Sequence, residues 1–170
     1  DDSGAVYVSS SILTRGEYIR RLSTVNPRGG ERVIAEVATG PSGEVRCTGI
    51  KGEIPRSPVS FFVSVRGGFY VTPESTGPAA VSIRRYDWDG KPTGEFTLEA
   101  DNKAKSVTLV GDDRAGRLYT GLDLGKPSGE ILVFDRSGRR LARIAAPYTG
   151  KSRSSSYARV DSHGRIYLLE

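Results

Sequence analysis

The stretch Asp113-Arg114-Ala115-Gly116-Arg117-Leu118-Tyr119-Thr120 has the order of parts that a tight hairpin turn requires. An Asp opens the turn through its own side chain, a Gly three residues on takes the positive φ, and an alternating strand follows. The same parts recur along the chain. It opens with Asp1-Asp2-Ser3-Gly4-Ala5-Val6-Tyr7-Val8, and near its end runs Asp161-Ser162-His163-Gly164-Arg165-Ile166-Tyr167-Leu168. A fourth copy, Ser64-Val65-Arg66-Gly67-Gly68-Phe69-Tyr70-Val71, has lost the Asp but kept the Gly and the Tyr. The tyrosines fall at positions 7, 70, 119 and 167, which gives two nearly equal spacings and a longer first one.

Downstream of each turn lies a second shared segment. Ile19-Arg20-Arg21-Leu22, Ile83-Arg84-Arg85-Tyr86 and Ile131-Leu132-Val133-Phe134 align as strands. Each leads into a further turn: Asn26-Pro27-Arg28-Gly29, Asp87-Trp88-Asp89-Gly90 and Asp135-Arg136-Ser137-Gly138. A closing strand follows at 32–37, 94–98 and 141–144, and the segments 59–63, 106–110 and 157–160 run between units. No long segment has a helical period, so each full unit reads as four short strands joined by tight turns. Four strands per unit of roughly 48 residues is the arithmetic of a β-propeller blade. The expected fold is therefore all-β, with blades of four antiparallel strands and about three and a half blades present. The whole of 1–170 is read as one partial propeller, with units at about 1–63, 64–112, 113–160 and 161–170. The surplus of the first unit falls near 40–58 and is expected to form an extra hairpin or long loop at a blade edge. Three and a half blades would leave raw sheet edges. The expectation is that the chain is part of a larger propeller, or that two open halves complete each other in a dimer.

The phrase Asp-x-x-Gly-x-hydrophobic-Tyr, then a strand, then Phe-Asp-x-x-Gly, is carried best by residues 112–147. It resembles the NHL and six-bladed YncE/SMP-30-like propeller superfamily. The resemblance extends to the blade repeat alone and implies a fold, since one fold hosts many unrelated functions. Among its relatives are lactonases that hold one metal at the propeller centre through Glu, Asn and Asp ligands. No matching set can be placed in this sequence.

Composition narrows the chemistry further. Gly 21 and Pro 9 suit many short strands and turns. Cys47 is the only cysteine, so no intrachain disulfide forms and paired-cysteine zinc sites are excluded. Met is absent even at position 1, which suggests a processed chain or a segment of a longer one. Together with the scarcity of cysteine, this points to an extracytoplasmic location, periplasmic or secreted. No apolar run approaches the roughly 18–20 residues of a transmembrane helix. The net charge of +5 can favour nucleic acid, anionic lipid or an acidic protein partner, but is expected to be an evenly solvated basic surface.

The individual candidates mostly have structural readings. His163 is the sole histidine, yet it occupies the third position of a turn whose Asp161 reads as the capping residue. Asp87 and Asp89 match part of a calcium loop but lack its later Glu, and a hairpin turn accounts for them. The pairs Arg20-Arg21 and Arg84-Arg85 are expected to pair with carboxylates of the next blade or to reach the rim. They have no interleaved aromatic platform of the kind that binds RNA. Gly150-Lys151-Ser152 lacks phosphate-loop spacing and reads as a surface loop. Trp88, the lone tryptophan, stands at a turn tip, where it marks a contact site or packs on a neighbouring turn. These readings converge on a non-enzymatic propeller that acts as a protein-binding scaffold or accessory subunit, with no cofactor and no metal. The partner-binding candidates are Arg46, Arg56, Trp88, Lys151 and Arg153. The alternatives are a metal-dependent lactonase or hydrolase and, further off, an RNA-binding propeller.

Overall fold

Short alternating runs bounded by Asp and Gly make every element of this chain a strand. The computed structural model describes residues 6–26, 29–54, 59–73, 81–98, 106–123, 128–147 and 158–168. Among them there is no helix, hence none long and apolar enough to cross a membrane. The first sheet has the order β1 (Val6–Thr14), β2 (Glu17–Val25), β3 (Glu31–Thr39), β4 (Val45–Thr48). The second is β5 (Val59–Val63), β6 (Phe69–Pro73), β7 (Val81–Tyr86), β8 (Pro92–Leu98). The third is β9 (Ser106–Asp112), β10 (Leu118–Asp123), β11 (Ser128–Phe134), β12 (Arg140–Pro147). A two-stranded sheet pairs β13 (Ala158–Val160) with β14 (Ile166–Leu168). The fold is thus all-β, with three four-stranded antiparallel sheets and one two-stranded sheet.

The frame of the sheets differs by one strand from the frame of the sequence repeat. Tyr70, Tyr119 and Tyr167 lie on β6, β10 and β14, each the second strand of its sheet, whereas Tyr7 lies on β1, a first strand. The segments that run between units supply β5, β9 and β13, because each pairs antiparallel with the strand beyond the turn. In the first sheet the fourth strand is instead β4, from the surplus near 40–58, paired with β3 from Glu36↔Thr48 to Thr39↔Val45.

The chain divides into two compact units. One comprises Asp1–Val63, Gly67–Glu74 and Ile83–Glu95, the other Ser64–Arg66, Ser75–Ser82 and Phe96–Glu170. The core of the first gathers Leu22, Ala35, Val37, Val59, Phe61, Phe69, Val71 and Tyr86. Phe69 stacks on Tyr86 with centroids 5.4 Å apart, and the Tyr86 hydroxyl donates to the Glu53 carbonyl at 2.9 Å. That bond satisfies the one polar atom which this ring carries into the interior. The core of the second unit gathers Val110, Tyr119, Ile131, Val133 and Ala158.

The turns have the geometry that the Asp-x-x-Gly spacing predicts. The amides of Gly90, Gly116, Gly138 and Gly164 donate to the carbonyls of Asp87, Asp113, Asp135 and Asp161 at 2.9–3.1 Å. The side chains add a clasp. Asp161 Oδ1 accepts the amides of His163 (2.9 Å) and Arg165 (3.0 Å), while Oδ2 accepts Arg165 Nε (2.6 Å) and Tyr167 Oη (3.2 Å). Asp113 repeats the pattern with the Arg117 amide (3.0 Å), Arg117 Nε (2.6 Å) and Tyr119 Oη (2.9 Å). Asp135 does the same with Ser137 and Arg139.

Within the second unit these turns stack. Asp112, buried, accepts Ser64 Oγ at 2.6 Å and the Val65 amide at 2.9 Å. The Arg114 amide donates to the Ser162 carbonyl at 3.0 Å. Gly164, at φ 81°, lies so close over the Asp113 clasp that a β-carbon there would sit 2.5 Å from Tyr119 Oη. Burial raises the Tyr119 phenol and its bond to the Asp113 carboxylate raises it further, to about 12. Burial alone would raise Asp113 as well, but the donors of Arg117 and Tyr119 outweigh it and hold the carboxyl below its usual range.

Three outcomes follow for stability. Gly164→Ala meets both the positive φ and the Tyr119 hydroxyl, and should destabilise by roughly 2–3 kcal/mol, read by urea melts. In the two-residue turn between β1 and β2, Arg15 at φ 47° precedes Gly16 at φ 81°. Arg15→Asn, which tolerates that region, should stabilise by about 0.5–1 kcal/mol in the same assay. The third concerns pH. Tyr119 has a raised folded pKa, so its contribution is complete below pH 10 and is lost as pH climbs towards 12. Asp113 has a depressed one, so its contribution is present above about pH 4 and is lost on acidification. Melting curves across pH should show both flanks, with Tyr119→Phe flattening the alkaline one and Asp113→Asn the acid one.

Candidate functional site

Trp88 sits at the tip of the turn between β7 and β8, where the Asp87 carboxylate accepts the amides of Asp89 (3.0 Å) and Lys91 (2.9 Å). The turn therefore fixes the backbone and leaves the indole to reach sideways. It stacks on Tyr7 of β1 with ring centroids 4.9 Å apart and planes 12° from parallel. The Phe69 ring lies 6.3 Å from it, tilted by 36°. The indole still exposes 38% of its surface. Trp88 therefore packs on a residue of a strand, not on a neighbouring turn, and stays partly exposed.

Beside the stacked pair is a cleft of about 290 Å³, lined by Tyr7, Thr24, Arg32, Val33, Ile34 and Trp88. Register brings the first three into one row: Tyr7 stands opposite Thr24, and Thr24 opposite Arg32. The last two strand residues need a different device. In a regular strand successive side chains point to opposite faces, so Arg32, Val33 and Ile34 could not all border one cleft. The pairing of β2 with β3 shifts between Leu22↔Ala35 and Ser23↔Val33, which leaves Ile34 as the extra residue of a bulge. A bulge re-aims side chains in this way, and all three residues border the cleft.

The cleft is chemically one-sided. Two aromatic rings and two aliphatic side chains supply its apolar wall, Thr24 a hydroxyl and Arg32 a cation, with no carboxylate on that wall among the described residues. A second, more open cleft of about 400 Å³ is lined by Glu53, Arg84, Pro92, Gly94 and Glu95. There the cation is already answered, since Arg84 lies 3.3 Å from Glu95 and 4.0 Å from Glu53.

The remaining candidates fall elsewhere. Arg46 is on β4, exposed and paired with Glu17, and is not among the residues around the Trp88 cleft. Arg56, Lys151 and Arg153 lie outside the described residues, as do Asp1, Asp2 and the Gly150-Lys151-Ser152 segment. Arg21 and Arg84 meet carboxylates within their own sheets, and Arg84 also reaches Glu53 of the preceding repeat unit. Arg21 meets Glu36, its direct cross-strand neighbour, at 2.7 Å, and Arg84 meets Glu95 from β7 to β8. Cross-strand register offers a carboxylate at shorter reach than any other sheet does. His163 is exposed, and its amide serves the Asp161 turn. Among the described residues no three His, Cys, Asp or Glu side chains are grouped to hold a metal ion.

Sequence reading picked out Trp88 and missed Tyr7 as a site residue, along with Arg32 and the bulge. Tyr7 read only as a repeat marker, and Arg32-Val33-Ile34 only as a strand. The one available signal was the exposed position of a lone indole. No protein-family model and no curated protein matches this chain.

Proposed function

We propose that the three four-stranded sheets are blades of a β-propeller, and that the protein is a binding module, a scaffold or accessory subunit that holds another protein at the Trp88 cleft. One observation carries this reading. Trp, Tyr and Arg, the three side chains enriched where protein interfaces concentrate their energy, meet around one partly apolar cleft at Trp88, Tyr7 and Arg32. The stacked rings are already ordered, so a partner that docks on them loses little side-chain entropy in doing so. The turn that carries Trp88 is held by two amide–carboxylate bonds, which further limits reorganisation. At about 290 Å³ the cleft lies at the lower end of the 300–1,000 Å³ usual for small-molecule pockets. That size suits one or two side chains of a partner protein better than a whole metabolite.

The test is quantitative affinity capture from the source cells, with immobilised wild-type chain compared with Trp88→Ala and Cys47→Ser. A specific partner should be retained at least about 30-fold less well by Trp88→Ala, as for an interface anchor worth about 2 kcal/mol or more. Cys47→Ser, on the exposed strand β4, should capture as the wild type does. Equal capture by wild type and Trp88→Ala, with both chains folded by circular dichroism, would remove the cleft from the interface.

A further inference from the structure

We infer that the Trp88 cleft recognises an acidic peptide segment, one that seats an apolar side chain against Trp88, Val33 and Ile34 and sets a carboxylate beside Arg32; this rests on the protein-binding reading above. Two features of the cleft define the occupant. The first is size: about 290 Å³ accommodates a leucine- or phenylalanine-sized side chain with room beside it for a neighbouring group. Such a side chain finds an apolar wall prepared for it, built from the Tyr7–Trp88 stack and the two aliphatic residues that the bulge turns inward.

The second feature is charge. Arg32 is exposed at the edge of the cleft, and among the described residues no carboxylate pairs with it. This sets it apart from the arginines with structural roles. Arg21 is held by Glu36, Arg84 by Glu95, Arg117 by Asp113 and Arg165 by Asp161. A guanidinium with no carboxylate partner among the described residues, beside an apolar wall and a hydroxyl, is complementary to an anion carried next to an apolar group. It accepts a carboxylate in the two-pronged geometry that arginine favours. Thr24, in the same cross-strand row, adds a hydroxyl that can donate to the second carboxylate oxygen or to the peptide backbone. A basic segment would place like charge against Arg32, and a wholly apolar one would leave the guanidinium to be desolvated without compensation.

Because Trp88 is the only tryptophan, its emission reports on this cleft alone. The full chain is titrated with three blocked pentapeptides: Ac-Gly-Glu-Leu-Glu-Gly-NH2, the same with Lys for both Glu, and the same with Ala for Leu. The expected result is a saturable emission change with the Glu-Leu-Glu peptide at sub-millimolar concentration. Affinity should be at least tenfold weaker for each of the other two, and should fall as sodium chloride is raised. Arg32→Glu should reverse the preference towards the lysine peptide, and Arg32→Gln, with no charge to reverse, should abolish it. The exposed position of Arg32 makes both variants tolerable to the fold, which a thermal melt verifies. Equal response to acidic and basic peptides, or a preference untouched by Arg32→Glu, overturns the inference while leaving Trp88 a protein contact. Silence of Trp88 towards all three also overturns it, and the capture comparison then decides the broader reading separately.

Discussion

A carboxylate at the first position of a turn, facing the amides two and four residues on, is the interaction from which this architecture is assembled. It closes the turn at Asp87, Asp135 and Asp161, and in a slightly altered form at Asp113. At Asp113 and Asp161 the second oxygen also gathers an arginine and a tyrosine from the strand beyond, so one side chain orients both the turn and the strand leaving it. A local interaction of this kind does not depend on long-range packing, and it can be repeated. That is why the copies at Asp113 and Asp161 generate comparable hairpins, and why losing the Asp in the copy at Ser64 is tolerated. There a carboxylate from elsewhere, Asp112, accepts the serine hydroxyl and the next amide.

The turns were legible in the sequence for the same reason. Asp, Gly, Arg and Tyr at fixed offsets specify a local geometry, and the structure places them in it. The pairing of strands was less legible because it is set at a distance. Nothing in Val59-Ser60-Phe61-Phe62-Val63 says whether it closes one sheet or opens the next; its register with β6 decides the matter. The surplus near 40–58 was legible as an extra hairpin or long loop at an edge, but its register, Glu36↔Thr48 to Thr39↔Val45, was not. The arginine pairs were expected to meet a carboxylate of another blade or to reach the rim; Arg21 meets its cross-strand Glu36, while Arg84 meets both Glu95 of its own sheet and Glu53 of the preceding repeat unit. Charge alone cannot rank those alternatives without the register.

The candidate site was visible only through its most conspicuous residue. A lone indole at a turn tip attracts attention, whereas Tyr7 is hidden among repeat tyrosines and Arg32 among nineteen arginines. The cleft is assembled from three neighbouring strands of one sheet and a turn of the next segment, and no periodicity in the sequence encodes that meeting. Its one-sided chemistry also emerges only in three dimensions. Most of the described arginines near a carboxylate are absorbed into the scaffold, and what distinguishes Arg32 is where it has been left.

The bulge at Ile34 separates the framework from the surface it displays. The buried part of β3, from Ala35 to Ala38, keeps strict pairing with β2 on one side of the irregularity, while Arg32 and Val33 keep theirs on the other. The extra residue is thus a joint: Ile34 packs against the core and also borders the cleft. A sheet of this kind without the extra residue would present a different face beside Trp88, so the chemistry at that edge can change by a single codon gained or lost.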